Sequence, residues 1–282
     1  MVTWVKQLDR ILRGDATRLS ALQAGTIDIS VGGLSLVIAA LGMIYGACMG
    51  LFSVIASGGT MYMQIVASTL KVPALFFLTL LITLPSLYVF NALVGSRLTL
   101  NSVLRLLIAA LGVMLAVLAS FGTITAFFAA STSSYHFMVL LNVVLFAICG
   151  FLGLLFLFQT LHRLSVAQGE ERTSLEVPVP PPLPPAAQEG FEISERETTG
   201  ASFPPPPREP NALDRLEGHV LGPHVRTVFK VWVIVFGLVG AQMGWVLRPF
   251  IGDPSMTFTW FRPRQSNFFE AVVMHFLKLF GG

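Results

Sequence analysis

The chain has 282 residues, 54% of them apolar and 12% charged, with a net charge of +3 and a mean hydropathy of +0.73. A soluble domain carries about 25% charged residues, and the deficit is deeper than it looks because ten of the 15 acids lie between Leu164 and Val225. Almost everything else is uncharged helix, which points away from a soluble globular domain. Lys and Arg sit at helix ends and form no basic stripe, so nucleic acid is not an expected partner. Cys48 and Cys149 both fall inside apolar runs and read as small packing residues.

Met1 to Arg13 reads as an amphipathic helix rather than a secretory signal, because charges interrupt its short apolar run. Trp4, Val5, Leu8, Ile11 and Leu12 share one face, and Lys6, Asp9, Arg10 and Arg13 the other. The expectation is an interfacial helix on the membrane surface, with a cap packed on the membrane domain as the alternative. Residues 1–28 form this cytoplasmic amphipathic segment.

Residues 29–163 read as a four-helix transmembrane domain. A hydrocarbon core of roughly 30 Å needs about 20 apolar residues at ~1.5 Å each, and each run meets that length. The first span covers about 29–56 and carries Gly42, Gly46 and Gly50 at intervals of four, a seam for close helix approach. Met61 to Leu70 is expected to be a short surface helix before Lys71, which marks a span edge. The second span follows over 73–93, with Pro85 inside it. The third is a single helix over 104–129. The fourth covers 137–161, with Gly150 and Gly153 as close contacts, and ends at His162 and Arg163.

Residues 164–226 form an acidic, proline-rich linker: 11 of the 17 prolines lie between Thr173 and Pro210. Such composition cannot build a core and reads as disordered. His219 and His224 are five apart there and are read as linker rather than metal ligands. A fifth helix, within 227–249, carries Gly237, Gly240 and Gly244 for helix packing. Trp232 and Trp245 fall near its ends, where aromatic belts sit, and Gln242 is expected to be satisfied by a neighbouring helix. Residues 250–282 form an aromatic-rich interfacial segment. Asn267 and Glu270 start its helix as a capping pair, and Phe268, Phe269, Val272, Val273, Phe276, Leu277 and Phe280 line one face.

The fold class is therefore all-α integral membrane protein: five transmembrane helices with amphipathic interfacial helices at both termini. Arg10, Arg13, Arg97, Arg105, Arg163 and Lys230 anchor one side. Positive charge marks the cytoplasmic face, which places the N-terminus inside and the C-terminus outside, as in a bacterial inner membrane protein. Outside the linker the acids are Asp9, Asp15, Asp28, Asp253 and Glu270, and none lies deep in a span. Ion-coupled transport needs intramembrane ionisable groups. No catalytic set, metal spacing or cofactor motif is found. The best polar constellation is Arg248, Asp253, Arg262, Arg264 and Glu270, read as a self-satisfied ion-pair network or as a lipid-headgroup or partner site.

At the central hairpin, residues 81–97 end a span in a short Gly-Ser loop at Gly95 and Ser96, and the Leu- and Ala-rich run over 98–128 follows. With five spans and an N-terminal cytoplasmic segment, it resembles the YIP family of small membrane proteins, particularly the bacterial branch. The eukaryotic branch is associated with Rab GTPases and vesicle traffic, and the resemblance implies a membrane-organising role rather than an enzyme. The expected function is a non-enzymatic scaffold, membrane organiser or accessory subunit. Its expected partners are the lipid bilayer and other membrane proteins or a second copy of the chain. A small transporter or channel is the alternative, with Asn91, Asn142, Thr123, Thr125 and Gln242 as its candidate polar path.

Overall fold

The computed structural model describes residues 2–14, 30–93, 100–175, 221–263 and 266–281. These fold into eight helices and no strand: α1 (Val2–Leu12), α2 (Val31–Ala56), α3 (Met63–Leu93), α4 (Leu100–Ser120), α5 (Gly122–Ser131), α6 (Tyr135–Leu175), α7 (Leu221–Val246) and α8 (Phe268–Phe280). Four stretches are long and apolar enough to cross a membrane: Val31–Ala56, Met63–Ser86, Val103–Ser131 and Tyr135–Thr160. In hydrocarbon every backbone group must be satisfied inside its own segment, and helices do this. Their outer faces carry Leu36, Ile44, Leu81, Phe127, Phe151 and similar side chains exposed in the chain.

The core lies between α2, α4 and α6, where Ile38, Tyr45, Phe52, Leu115, Leu118 and Met138 are fully buried. A buried polar set ties these helices together: Tyr45 donates to Asn142 Oδ1 at 2.6 Å, Thr125 Oγ1 lies 3.5 Å from the Tyr45 hydroxyl, and Asn142 donates to Met138 O at 2.8 Å. Of the proposed polar path, these two residues are thus joined through Tyr45. Thr123 and Gln242 are exposed, and the Asn91 side chain lies outside the described residues. Gln242 accordingly lacks the neighbouring-helix environment expected for it.

Several boundaries differ from the sequence reading. Met61–Leu70 is not a separate surface helix: α3 runs unbroken from Met63 through Lys71, Pro73 and Pro85. Proline removes only one backbone bond, and packing against α2 holds the rest. The third span is two helices meeting at Phe121 (φ −74°, ψ −8°) rather than one. The fourth helix continues past Arg163 to Leu175, and α7 begins at Leu221. The linker drawn at 164–226 therefore starts and ends in helix, and its proline-rich part, 176–220, lies outside the described residues. Acidic composition does not stop a helix already nucleated by the span before it.

α1 packs on α2 and α4, with Leu8 and Ile11 buried, while Val5 and Leu12 stay exposed. Trp4 covers Gly33, and Ser30 donates to Gln7 at 2.9 Å. This is the cap arrangement: much of the apolar face is spent on the bundle rather than on lipid. At the other end of α2, Gly58 (φ +64°) and Gly59 (φ +93°) make the reversal into α3, in a backbone region that L-residues rarely adopt.

Candidate functional site

Gln64, Ser68 and Lys71 are spaced by four and three along α3, which stacks them on one helix face. All three are buried, Lys71 to 4% exposure. Their partners belong to the segment after α7. Gln64 Nε2 donates to Phe250 O at 2.9 Å and Pro249 O at 3.2 Å. Ser68 Oγ sits between Gln64 O, at 2.8 Å, and Phe250 O. Lys71 Nζ donates to Pro249 O at 3.0 Å and to Trp260 O, and lies 5.0 Å from the Phe261 ring centroid.

Two costs cancel here. A buried ammonium is expensive without acceptors, and non-helical backbone with buried carbonyls needs donors for them. The C-terminal segment hooks over α3, which donates to its carbonyls and gains acceptors for Lys71 in return, while Gln64 Oε1 stays buried without a partner. Gly252 lets the hook approach: a Cβ there would lie 2.6 Å from Ser53 Oγ. The seam beside it serves the same fit. Gly42 meets Pro73, Gly46 meets the Ser68 carbonyl, and Gly50 meets Ile65 with a Cβ distance of 2.7 Å, so α2 and α3 touch backbone to backbone.

The hook ends beside α6 and α8. Arg248 stacks 3.4 Å from the Trp245 ring centroid and donates to Pro263 O. Burial, and then Arg262, hold its guanidinium below its usual pKa. Trp245 donates to Ser266 O. Asp253 Oδ1 accepts from Ser255 N at 3.0 Å and Ser255 Oγ at 2.7 Å. Asn267 caps α8 by accepting from Glu270 N at 2.9 Å. The His275 ring lies 5.0 Å from His136 and 5.6 Å from Tyr135, centroid to centroid, which seats α8 on the start of α6. Burial pushes the His275 pKa down, His136 and Lys278 add to this, and Asp253 opposes it.

The ion-pair network expected of Arg248, Asp253, Arg262 and Glu270 is not what holds this end. Among the described residues these four form no ion pair with one another; carbonyls and rings do the holding. Glu270 is exposed, and Arg264 lies outside the described residues. Of the other sequence-predicted positions, Gly153 meets Met114 with a Cβ distance of 3.0 Å, Gly240 meets Thr79 at 3.5 Å, and Gly244 reaches Leu75 at 4.0 Å. Gly150 and Gly237 have nothing within 4 Å, so they are not close contacts. Trp232 sits in no belt: it is 1% exposed and donates to Thr83 O at 3.2 Å. Arg10, Arg13 and Arg163 are exposed, Arg105 is half-buried, and Arg97 and the Lys230 side chain lie outside the described residues. The apolar stripe of α8 faces outward, with Phe269, Val273, Phe276, Leu277 and Phe280 exposed and Ala271 buried.

Sequence reasoning missed Gln64, Ser68 and Lys71 because it placed Lys71 at a span edge. The signal was present: three polar residues at i, i+4 and i+7 in an apolar helix need a buried partner. Chemically the site anchors and presents positive charge. Among the described residues no three metal-ligating side chains come together. Fold and site together define an all-α chain with four helices long and apolar enough to cross a membrane several times. No protein-family model, curated protein or solved structure matches it.

Proposed function

We propose that this chain is a five-span, non-enzymatic integral membrane protein that acts through helix and surface contacts, as a scaffold, membrane organiser or accessory subunit. In this reading α7 is the fifth span. Its apolar part, Val231–Val246, reaches ~24 Å, and it packs along α3 through Trp232. The observation that carries the proposal is where the buried polar groups spend their hydrogen bonds. Lys71, Gln64 and Ser68 are used on the chain's own hook. Thr79, Thr83 and Thr160 bond to carbonyls of their own helices. Polar chemistry inside the bundle is structural, and the surface offered outward is apolar, above all on α8. The bilayer and other membrane proteins or a second copy are the proposed partners. The likeness of the 81–128 hairpin to the YIP family supports an organising role in the same way. The proposed location is a bacterial inner membrane, with the N-terminus inside.

The test is mild-detergent extraction of the tagged full chain from its own membranes, with mass spectrometry of what stays bound. Stoichiometric membrane-protein partners, lost when Phe276 and Phe280 on α8 are changed to Ser, support the proposal. A homogeneous single species that conducts ions or solute in liposomes would replace it with a channel or transporter.

A further inference from the structure

Lys71, Arg248 and Arg262 converge at one end of the bundle. Lys71 is bonded to Trp260 O and lies over Phe261, while Arg248 is bonded to Pro263 O. The two anchors bracket Arg262 in the chain, and Arg262 lies within charge range of both. Its guanidinium also lies beside the Tyr135 phenol. Three cations and a phenol thus gather around a four-residue strip. The nearby carboxylate, Asp253, is engaged by Ser255, and among the described residues none of the three cations is ion-paired. Arg248 Nε is buried and has no hydrogen-bond partner. A buried guanidinium N–H of this kind needs an acceptor.

We propose that this cluster binds a phosphate group, with Arg248 and Arg262 as its main donors and Lys71 as a fixed charge beneath them. Arginine forks match phosphate oxygens in charge and in geometry. The surroundings favour a phosphate carried on an anionic phospholipid. The strip lies at the end of an apolar bundle, beside α8, whose exposed Phe269, Val273, Phe276 and Leu277 suit acyl chains. Asp253 and the half-buried rings of His136 and His275 border the site, and both rings are seated against Tyr135 and each other.

This inference rests on the multi-pass membrane reading but not on any protein partner, so it is tested with the purified full chain alone. The protein is placed in nanodiscs of phosphatidylcholine, or of an equal mixture of phosphatidylcholine and phosphatidylglycerol. Thermal unfolding and the lipid retained in native mass spectrometry are read. The expected result is a higher unfolding temperature with phosphatidylglycerol and its preferential retention. Arg262→Gln should lower that preference about fivefold, as expected for one juxtamembrane cation, and Arg262→Lys should keep much of it. Arg248→Gln is the second variant; because Arg248 also stacks on Trp245, the Arg262 pair carries the result if that variant does not fold. A rise produced by inorganic phosphate in pure phosphatidylcholine discs, lost in Arg262→Gln, assigns the site to free phosphate. Equal retention by wild type and Arg262→Gln, or no response to either probe, overturns the proposal and leaves the scaffold reading to its own co-purification test.

Discussion

At Gly46 a Cβ would collide with the Ser68 carbonyl, whereas at Gly150 it would meet nothing within 4 Å. Both glycines are four or three residues from another in an apolar helix, and sequence alone treats them alike. Their energetics should differ. Gly46→Leu forces α2 and α3 apart, an overpacking cost of about 1–3 kcal/mol, and it also loosens the helix face that holds the hook. Gly150→Ala should stay within about 0.5 kcal/mol of wild type. Thermal unfolding of the two variants in the same detergent checks this, and equal shifts would show that the seam is not tight. The same scale explains what was missed. Lys71 meets Trp260 across 189 positions and Trp232 meets Thr83 across 149. Periodicity reports which face of a helix is polar, not which distant segment will cover it.

At the scale of elements, α8 is the part whose attachment depends on solution conditions. Its start is local and legible: Asn267 caps the Glu270 amide, and the 13-residue length follows from the apolar run. Its seat on α6 runs through His275. The folded state favours the neutral imidazole, since burial, His136 and Lys278 depress its pKa below the usual 6.5 and only Asp253 opposes them. Well above pH 6.5 folded and unfolded chains are both neutral there, and this group leaves stability unchanged. As the pH falls through that value the unfolded chain binds the proton first, so stability is lost toward the lower, folded pKa. The His275 contribution to the unfolding temperature should therefore be nil from pH 8 to 7 and should turn unfavourable on acidification. His275→Gln should flatten that acid limb, and an unchanged limb would place the titration elsewhere.

Taken whole, the molecule has two dissimilar ends. The 57–62 and 132–134 loops, the hook and α8 share one; α1 lies toward the other, against the start of α2. Hydropathy made the four long helices legible, because an uncharged run of that length has few other uses. It made the joints illegible. The turn at Phe121 and the extension of α6 to Leu175 depend on packing and on helix propagation, and neither leaves a mark in composition. In the proposed reading of five spans with the N-terminus inside, the hook lies outside. A C-terminal alkaline phosphatase fusion should then be active, and a C-terminal green fluorescent protein fusion dark when exported through the general secretory route. The reverse pair of results would mean an even number of crossings, or an inverted chain.

The hook also sets an order of events during synthesis. Lys71, Gln64 and Ser68 leave the ribosome and enter the translocon long before residues 249–260 exist. For that interval the nascent chain carries an ammonium in an apolar helix with its final acceptors still unmade. Synthesis of residues 249–260 is thus the step that gives these side chains their acceptors. A chain stopped after Val246 should keep its long helices but be recognised as unfinished and cleared by membrane proteases faster than full-length protein. In the same truncated chain, Lys71→Leu should restore much of the lifetime. A pulse-chase experiment distinguishes this from simple loss of mass: equal half-lives for the truncated chain with and without Lys71 would show that the buried charge is not what quality control reads.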